Sequence, residues 1–164
     1  MTDVTQPRLS LATTDGVLRV DFLWRDDRFE QHLFLHDQKV GQSVEGDSVE
    51  PWPPSPPLQQ LSLEPINDAN VILGVGSAGR GHWSISVEVD PNVKCALKFD
   101  VACRSKQLPE RLGSRYDLPP QIKLEPLTDP LLVESSGHEA RITSCRADAT
   151  LGTTQWSYRL TATP

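Results

Sequence analysis

The sequence predicts an all-β fold: an antiparallel β sandwich or flattened barrel of about nine to eleven short strands with little or no helix. Three observations predict it. Apolar and polar residues alternate with period two through most of the chain, turn residues punctuate the alternation at short intervals, and no long stretch carries the 3.6-residue period of an amphipathic helix. A chain of 164 residues can bury a real core, since a domain of about 150 residues removes roughly 70% of its unfolded surface from water.

Residues 1–15 are polar and aperiodic and read as a flexible arm or weakly docked edge, with 16–164 as one β domain. In the stretch 17–24, Leu18, Val20, Phe22 and Trp24 share one face while Arg19 and Asp21 point the other way. Arg25-Asp26-Asp27 turns the chain, and 29–36 returns with Phe29, Leu33 and Leu35 on one side. A short helix competes there, because Asp27 and Glu30 resemble a capping box. Leu33-Phe34-Leu35 would set apolar groups around too much of that helix, so the strand is preferred.

Glu50 to Pro57 holds five prolines, which remove five backbone donors and fix φ, so it is a stiff loop within the domain. Strands follow at 58–63 and, more fully buried, at 70–75, separated by Pro65 and Asn67 to Asn70. The clearest hairpin runs from Trp83 to Val89, turns at Asp90-Pro91-Asn92 and returns from Cys95 to Cys103. Parity puts Trp83, Ile85, Val87 and Val89 on the core face with Leu97, Phe99 and Val101, and turns Cys95 and Cys103 inward as well. At eight residues' separation along a strand these thiols lie ~26 Å apart and cannot bridge. Short strands are expected at 114–118 and 121–127, then a loop through Gly137, then a closing pair at 139–147 and 153–161 with Trp156, Tyr158 and Leu160 inward.

Composition bounds function. A net charge of −6 opposes the basic face that phosphate-backbone binding uses, so no nucleic-acid partner is expected. Between Lys94 and Arg115, Lys94, Lys98, Arg104, Lys106, Arg111 and Arg115 outnumber Asp100 and Glu110, which reads as solvated strand and loop charge. A mean hydropathy of −0.38, with apolar runs far short of about 20 residues, argues against a membrane span. The acidic start has no apolar segment of the signal-peptide kind, and three cysteines without a CxxC fit reduced thiols, so the expected location is cytoplasmic.

Candidate sites are few. His32 and His36 invite a metal, but four positions on a strand separate their backbones by ~13 Å; Glu30 and His32 share a face, and two ligands do not make a site. No metal and no cofactor is expected. Gly74 to Trp83 is the most suggestive stretch, because its glycines admit a ligand to the backbone and Arg80 can hold an anion. It is no P-loop, and its formal GxGxxG precedes a strand where a dinucleotide fold needs a helix. The competing reading is a flexible connection between strands.

Pairing Glu88 with Lys94 would set His82 opposite Asp100, an orienting carboxylate beside an imidazole. A register two residues away pairs Ser84 with Asp100 and removes the dyad. Trp52 can offer a flat stacking platform or pack beneath its own loop. The prolines around it also resemble a polyproline ligand, without the adjacent basic residue that would orient one. GxSxG is missing, and inward cysteines are inert.

The expected function is a non-catalytic module binding a small molecule or a protein partner through Arg80, His82 and Trp52. The alternative is a small hydrolase or isomerase using His82 and Asp100, with Arg80 as anion anchor.

Overall fold

The computed structural model describes residues 8–128, 131–144 and 152–163. It contains thirteen strands among them: β1 (Arg8–Ala12), β2 (Leu18–Arg25), β3 (Arg28–Leu35), β4 (Gln38–Ser43), β5 (Gln60–Ile66), β6 (Ala69–Ala78), β7 (Gly81–Val89), β8 (Ala96–Ser105), β9 (Gly113–Asp117), β10 (Ile122–Pro126), β11 (Leu131–Ser136), β12 (Glu139–Ser144) and β13 (Gly152–Ala162). The strands form two antiparallel sheets, neither closed into a barrel: β1-β2-β3-β4-β9-β12-β11 and β10-β13-β8-β7-β6-β5. The molecule is thus a β sandwich. The described residues include no helix, hence none long and apolar enough to cross a membrane.

Short turns set much of the register. Two-residue connections join β2 to β3, β3 to β4, β5 to β6 and β6 to β7. His36-Asp37 and Asn67-Asp68 hold positive φ at both positions, the geometry whose twist matches antiparallel strands and which Asn and Asp tolerate best. The competing helix over 27–35 is excluded, since β3 runs through it.

The inner faces carry the alternation read from the sequence. Leu18, Val20, Phe22 and Leu33 meet Ile85, Val87, Leu97, Phe99, Trp156, Tyr158 and Leu160 in one buried cluster. Each such side chain contributes about 1.5–3 kcal/mol by leaving water. Polar groups in this core are paired: the Tyr116 hydroxyl donates to Gln31 Oε1 at 2.7 Å, lies 2.6 Å from the Tyr158 hydroxyl, and Trp156 Nε1 donates to Ser114 Oγ at 3.1 Å.

Several expectations are corrected. Of the two readings of the N-terminal stretch, a flexible arm or a weakly docked edge, residues 8–12 take the second: they form the edge strand β1, paired with β2 through Leu9 opposite Phe22 and Leu11 opposite Val20, with Leu11 buried. The anticipated loop through Gly137 contains β11, which pairs with β12; with β1 and with β4, which pairs with β3 and β9 and is not expected either, the strand number is thirteen. The last two strands do not pair with each other. β12 lies between β11 and β9, whereas β13 lies between β8 and β10 in the opposite sheet. Strand β6 is not fully buried, because Leu73 and Val75 point outward from a sheet face that nothing among the described residues covers. Cys95 precedes β8 at positive φ and is half-buried, its thiol donating to Asp15 Oδ2, whereas Cys103 is buried as expected. Residues 1–7, Cys145 and the end of the strand expected through Ala147 lie outside the described residues.

The glycine-rich stretch is also not a flexible connection. Strand β6 continues to Ala78 and β7 begins at Gly81, leaving only Gly79 and Arg80 as the turn. Glycine serves close approach there: a Cβ on Gly76 would lie 1.8 Å from the Pro57 carbonyl oxygen, and one on Gly81 2.6 Å from the Trp83 ring. The proline loop therefore lies directly against β6 as it carries the chain from one sheet to the other.

Candidate functional site

The hairpin Arg25-Asp26-Asp27-Arg28 concentrates four charges at a two-residue turn, and strand parity sends Arg28, Glu30 and His32 to one side of β3. The chain leaving β4 passes this turn on its way to the proline loop. Between them lies a pocket of about 590 Å3, lined by residues 25–28, Glu30, the segment 42–48 and Asp117 of β9.

Arg28 is the anchor of its wall. Its side chain is only 5% exposed; Nε donates to Asp27 Oδ1 at 3.0 Å, and Nη2 donates to Asp27 Oδ2 at 3.3 Å and to the Asp47 carbonyl at 3.1 Å. Nη1 is buried without a partner among the described residues. Glu45 faces the complementary problem: the residue is half-buried overall, but its Oε1 is out of water and also unpaired. Each feels the other's charge, yet no ion pair joins them. An unpaired buried polar atom costs about 1–3 kcal/mol and more when charged, so two of opposite character in one wall demand a physical reason.

Burial pushes the Glu45 carboxyl up to about 7, against a hydrogen bond from Ser43 and the charge of Arg28, with the charges of Glu30 and Asp27 adding to the rise. The Arg28 hydrogen bond holds the Asp27 carboxyl below its ordinary value. Glu30 is spent on neighbours, its Oε1 2.7 Å from His32 Nε2 and its Oε2 3.4 Å from Arg25 Nη1. Chemically, the wall offers a carboxyl that changes charge near neutrality beside a fixed cation. Ser43 Oγ, also in the lining, accepts from the Gln31 backbone amide at 2.9 Å.

The residues singled out in the sequence lie elsewhere. The structure does not bring His82 and Asp100 together: β7 and β8 pair His82 with Arg104, and Asp100 with Ser86. Four residues of separation along β8 place them ~13 Å apart. The register differs because the connection is longer than a three-residue turn. Asp90 Oδ1 accepts from the amides of Asn92 and Val93, Cys95 takes a positive φ, and β8 starts at Ala96. Glu88 still meets an opposite charge, Lys98, whose Nζ lies 3.9 Å away. Asp100 accepts instead from Ser157 Oγ on β13. The expected His82–Asp100 dyad is therefore not formed.

Arg80 is exposed at the β6–β7 turn, and His82 lines a shallow groove of about 510 Å3 with Arg104 and Ser77 on the outer sheet face. Trp52 is no surface platform. It is 5% exposed, lies edge-on to Trp83 with ring centres 6.0 Å apart, and its carbonyl accepts from Arg111 Nη2 at 2.9 Å. Packing beneath its own loop leaves no free ring face for a ligand. His36 falls in the β3–β4 turn while His32 stays on β3. Among the described residues no group of three or more His, Cys, Asp or Glu is placed to hold a metal ion.

The sequence alone does not single out Arg28 or Glu45. The dense charge at the turn is a usable signal, because four successive charges at a hairpin tip next to a carboxylate at Glu30 cannot all be solvated independently. Glu45 carries no local signal, since its burial comes from the proline loop folding back. Compared with known proteins, the chain matches no family model, no curated protein and no solved structure.

Proposed function

We propose that this chain is a non-catalytic binding module whose small polar ligand occupies the pocket between the β2–β3 turn and residues 42–48. The observation that carries the reading is the pair of unpaired buried atoms, Arg28 Nη1 and Glu45 Oε1, in one pocket wall. A ligand supplying an acceptor to the first and a hydrogen bond to the second removes a cost that the protein alone bears. The pocket volume lies within the roughly 300–1,000 Å3 typical of small-molecule sites, and a carboxyl perturbed toward neutrality is common at such sites. The sandwich supplies the rigid frame.

The test is a thermal-shift screen of small cations, anions and neutral polyols on the wild type and on Glu45→Gln. A ligand at about a hundredfold excess over its Kd raises Tm on the order of 5–10 °C, and the isosteric variant loses most of that shift. Silence across all three charge classes, or equal shifts in both proteins, overturns the proposal.

A second reading, a protein-interaction face, is favoured by Ile66, Leu73 and Val75, which are exposed together on the outer face of the β5–β6 hairpin. Arg80 and His82 then belong to its polar rim. Concentration-dependent association weakened by Leu73→Ser supports it, and a strict monomer with no captured partner counts against it.

A further inference from the structure

The outer face of the sheet that contains β6, β7, β8 and β13 narrows the kind of partner it can take, an inference that rests on this face being a protein-interaction surface. Strand register sets its outward side chains in rows. Val75, Ser84, Ala102 and Gln155 stand side by side in the middle; the row on one side holds Leu73, Ser86, Asp100 and Ser157, and the row on the other holds His82 and Arg104. Short side chains in the first two rows leave a trough. A groove of about 510 Å3 at the Arg104 end and one of about 450 Å3 at the Asp100 end share Val75, Ser84 and Ala102, so they form one depression running along the strands. The four residues of β8 from Asp100 to Arg104 span ~13 Å, the reach of about four residues of extended chain.

The two ends differ in charge. Arg104 is exposed and makes no ion pair among the described residues, and no carboxylate among them lines the groove beside it. Arg80 in the β6–β7 turn and Lys106 just past β8 lie at the same end of the sheet, likewise exposed and without an ion pair among the described residues. At the opposite end the charges are already engaged. Asp100 accepts from Ser157 Oγ and lies 3.9 Å from Lys98 Nζ, which is also 3.9 Å from Glu88.

Cations at a sheet end would by themselves describe a solvated rim. The second observation is the apolar surface that adjoins them, with Val75 49% and Leu73 37% exposed beside Ala102. Together they select a segment that carries a carboxylate and an aliphatic side chain within the reach of the trough. On a chain of net charge −6, the remaining surface repels such a segment and steers it to this end.

We infer that the trough takes an extended acidic segment of a partner protein, an aspartate or glutamate with an aliphatic residue a few positions away. The carboxylate meets the Arg104 guanidinium, with the His82 imidazole in the same row, and the aliphatic side chain covers Val75 and Leu73.

The experiment selects random peptides displayed on phage against the immobilised full-length chain and titrates the 15N-labelled protein with the enriched peptides. Enriched sequences are expected to combine an acidic with an aliphatic residue and to shift the amides of residues 73–77, 82–86 and 100–104. Their Kd should weaken severalfold to about tenfold in Arg104→Gln, in Leu73→Ser, and on raising the salt to about 0.5 M. Both side chains are exposed, so neither substitution disturbs the core. Neutral peptides that shift the same amides and bind Arg104→Gln as tightly as wild type overturn the acidic assignment and leave the interaction face standing. A concentration-dependent dimer that shifts these amides without peptide does the same, because a second copy of the chain then occupies the trough. Enriched peptides that shift only other amides, or no enrichment on a protein that stays monomeric, overturn the assignment and the face together.

Discussion

Replacing Glu45 by glutamine stabilises the protein above neutral pH and does little in acid. In the unfolded chain the carboxyl has its ordinary value of 4.5, and in the fold burial pushes it up to about 7. Below 4.5 it is protonated in both states, so the native protein suffers no penalty. As the pH rises from 4.5 toward 7 the unfolded chain releases the proton while the folded one retains it, and stability is progressively lost. Above 7 the loss is complete and levels off. The interval from 4.5 to about 7 corresponds to about 3 kcal/mol, the order of what the neutral glutamine amide escapes. Urea unfolding of wild type and Glu45→Gln, followed by tryptophan fluorescence, should therefore give a difference below about 1 kcal/mol at pH 5 and about 3 kcal/mol at pH 8. In melting temperature the larger figure is on the order of 6–12 °C. A difference that is the same at both pH values, or that favours the wild type at pH 8, refutes the burial of this carboxyl and the reading of the pocket wall built on it.

The packing sets other expected outcomes. Gly76→Ala places a methyl group 1.8 Å from the Pro57 carbonyl and should cost on the order of 3 kcal/mol in urea unfolding, whereas Gly16→Ala, with nothing within 4 Å but a positive φ, should cost about 1 kcal/mol. Equal costs would mean that the proline loop does not lie against β6. Burial pushes the Cys103 thiol up to about 11, against a hydrogen bond from the His82 backbone, so Cys103 should resist alkylation at pH 8 until the protein unfolds. Cys95 is half-buried, and peptide mass mapping should show it modified first; the reverse order would contradict the packing of β8. Trp52→Ala removes a buried indole and its contact with Trp83 and should cost about 3–5 kcal/mol with a changed emission spectrum; a neutral substitution would place Trp52 in solvent.

What is legible in the chain is the local periodicity and little beyond it. Trp83, Ile85 and Val87, and Leu97, Phe99 and Val101, face inward as their alternation requires, because a strand with one buried face repeats every two residues whatever its neighbours are. Register is a different kind of information. It depends on the hydrogen bonds of the Asp90 to Cys95 connection, and a slip of four residues preserves every inward side chain while moving His82 from Asp100 to Arg104. Sheet membership is similarly hidden: β12 and β13 are neighbours in the chain and lie in opposite sheets.

The glycines and Glu45 are illegible for a common reason. Gly76 is small because Pro57 crosses above it, and Glu45 is buried because the chain between β4 and β5 folds back over Arg28. Neither contact leaves a trace in neighbouring residues. Arg28 is more accessible to inference, since its strand parity with Glu30 and the crowded charge at residues 25–28 are visible in the sequence. Only the three-dimensional position of Glu45 and Asp47 shows that this charge is enclosed and not solvated.

Everything proposed for the pocket depends on an enclosed, incompletely bonded acid, Glu45, lying beside Arg28 in its wall. The measurement that decides it follows the side-chain carboxyl carbon of Glu45 by NMR through a pH titration. A carboxyl enclosed in this way should titrate with a midpoint near 7. A midpoint at the ordinary 4.5 would put the carboxyl in water and remove the pocket wall built on it.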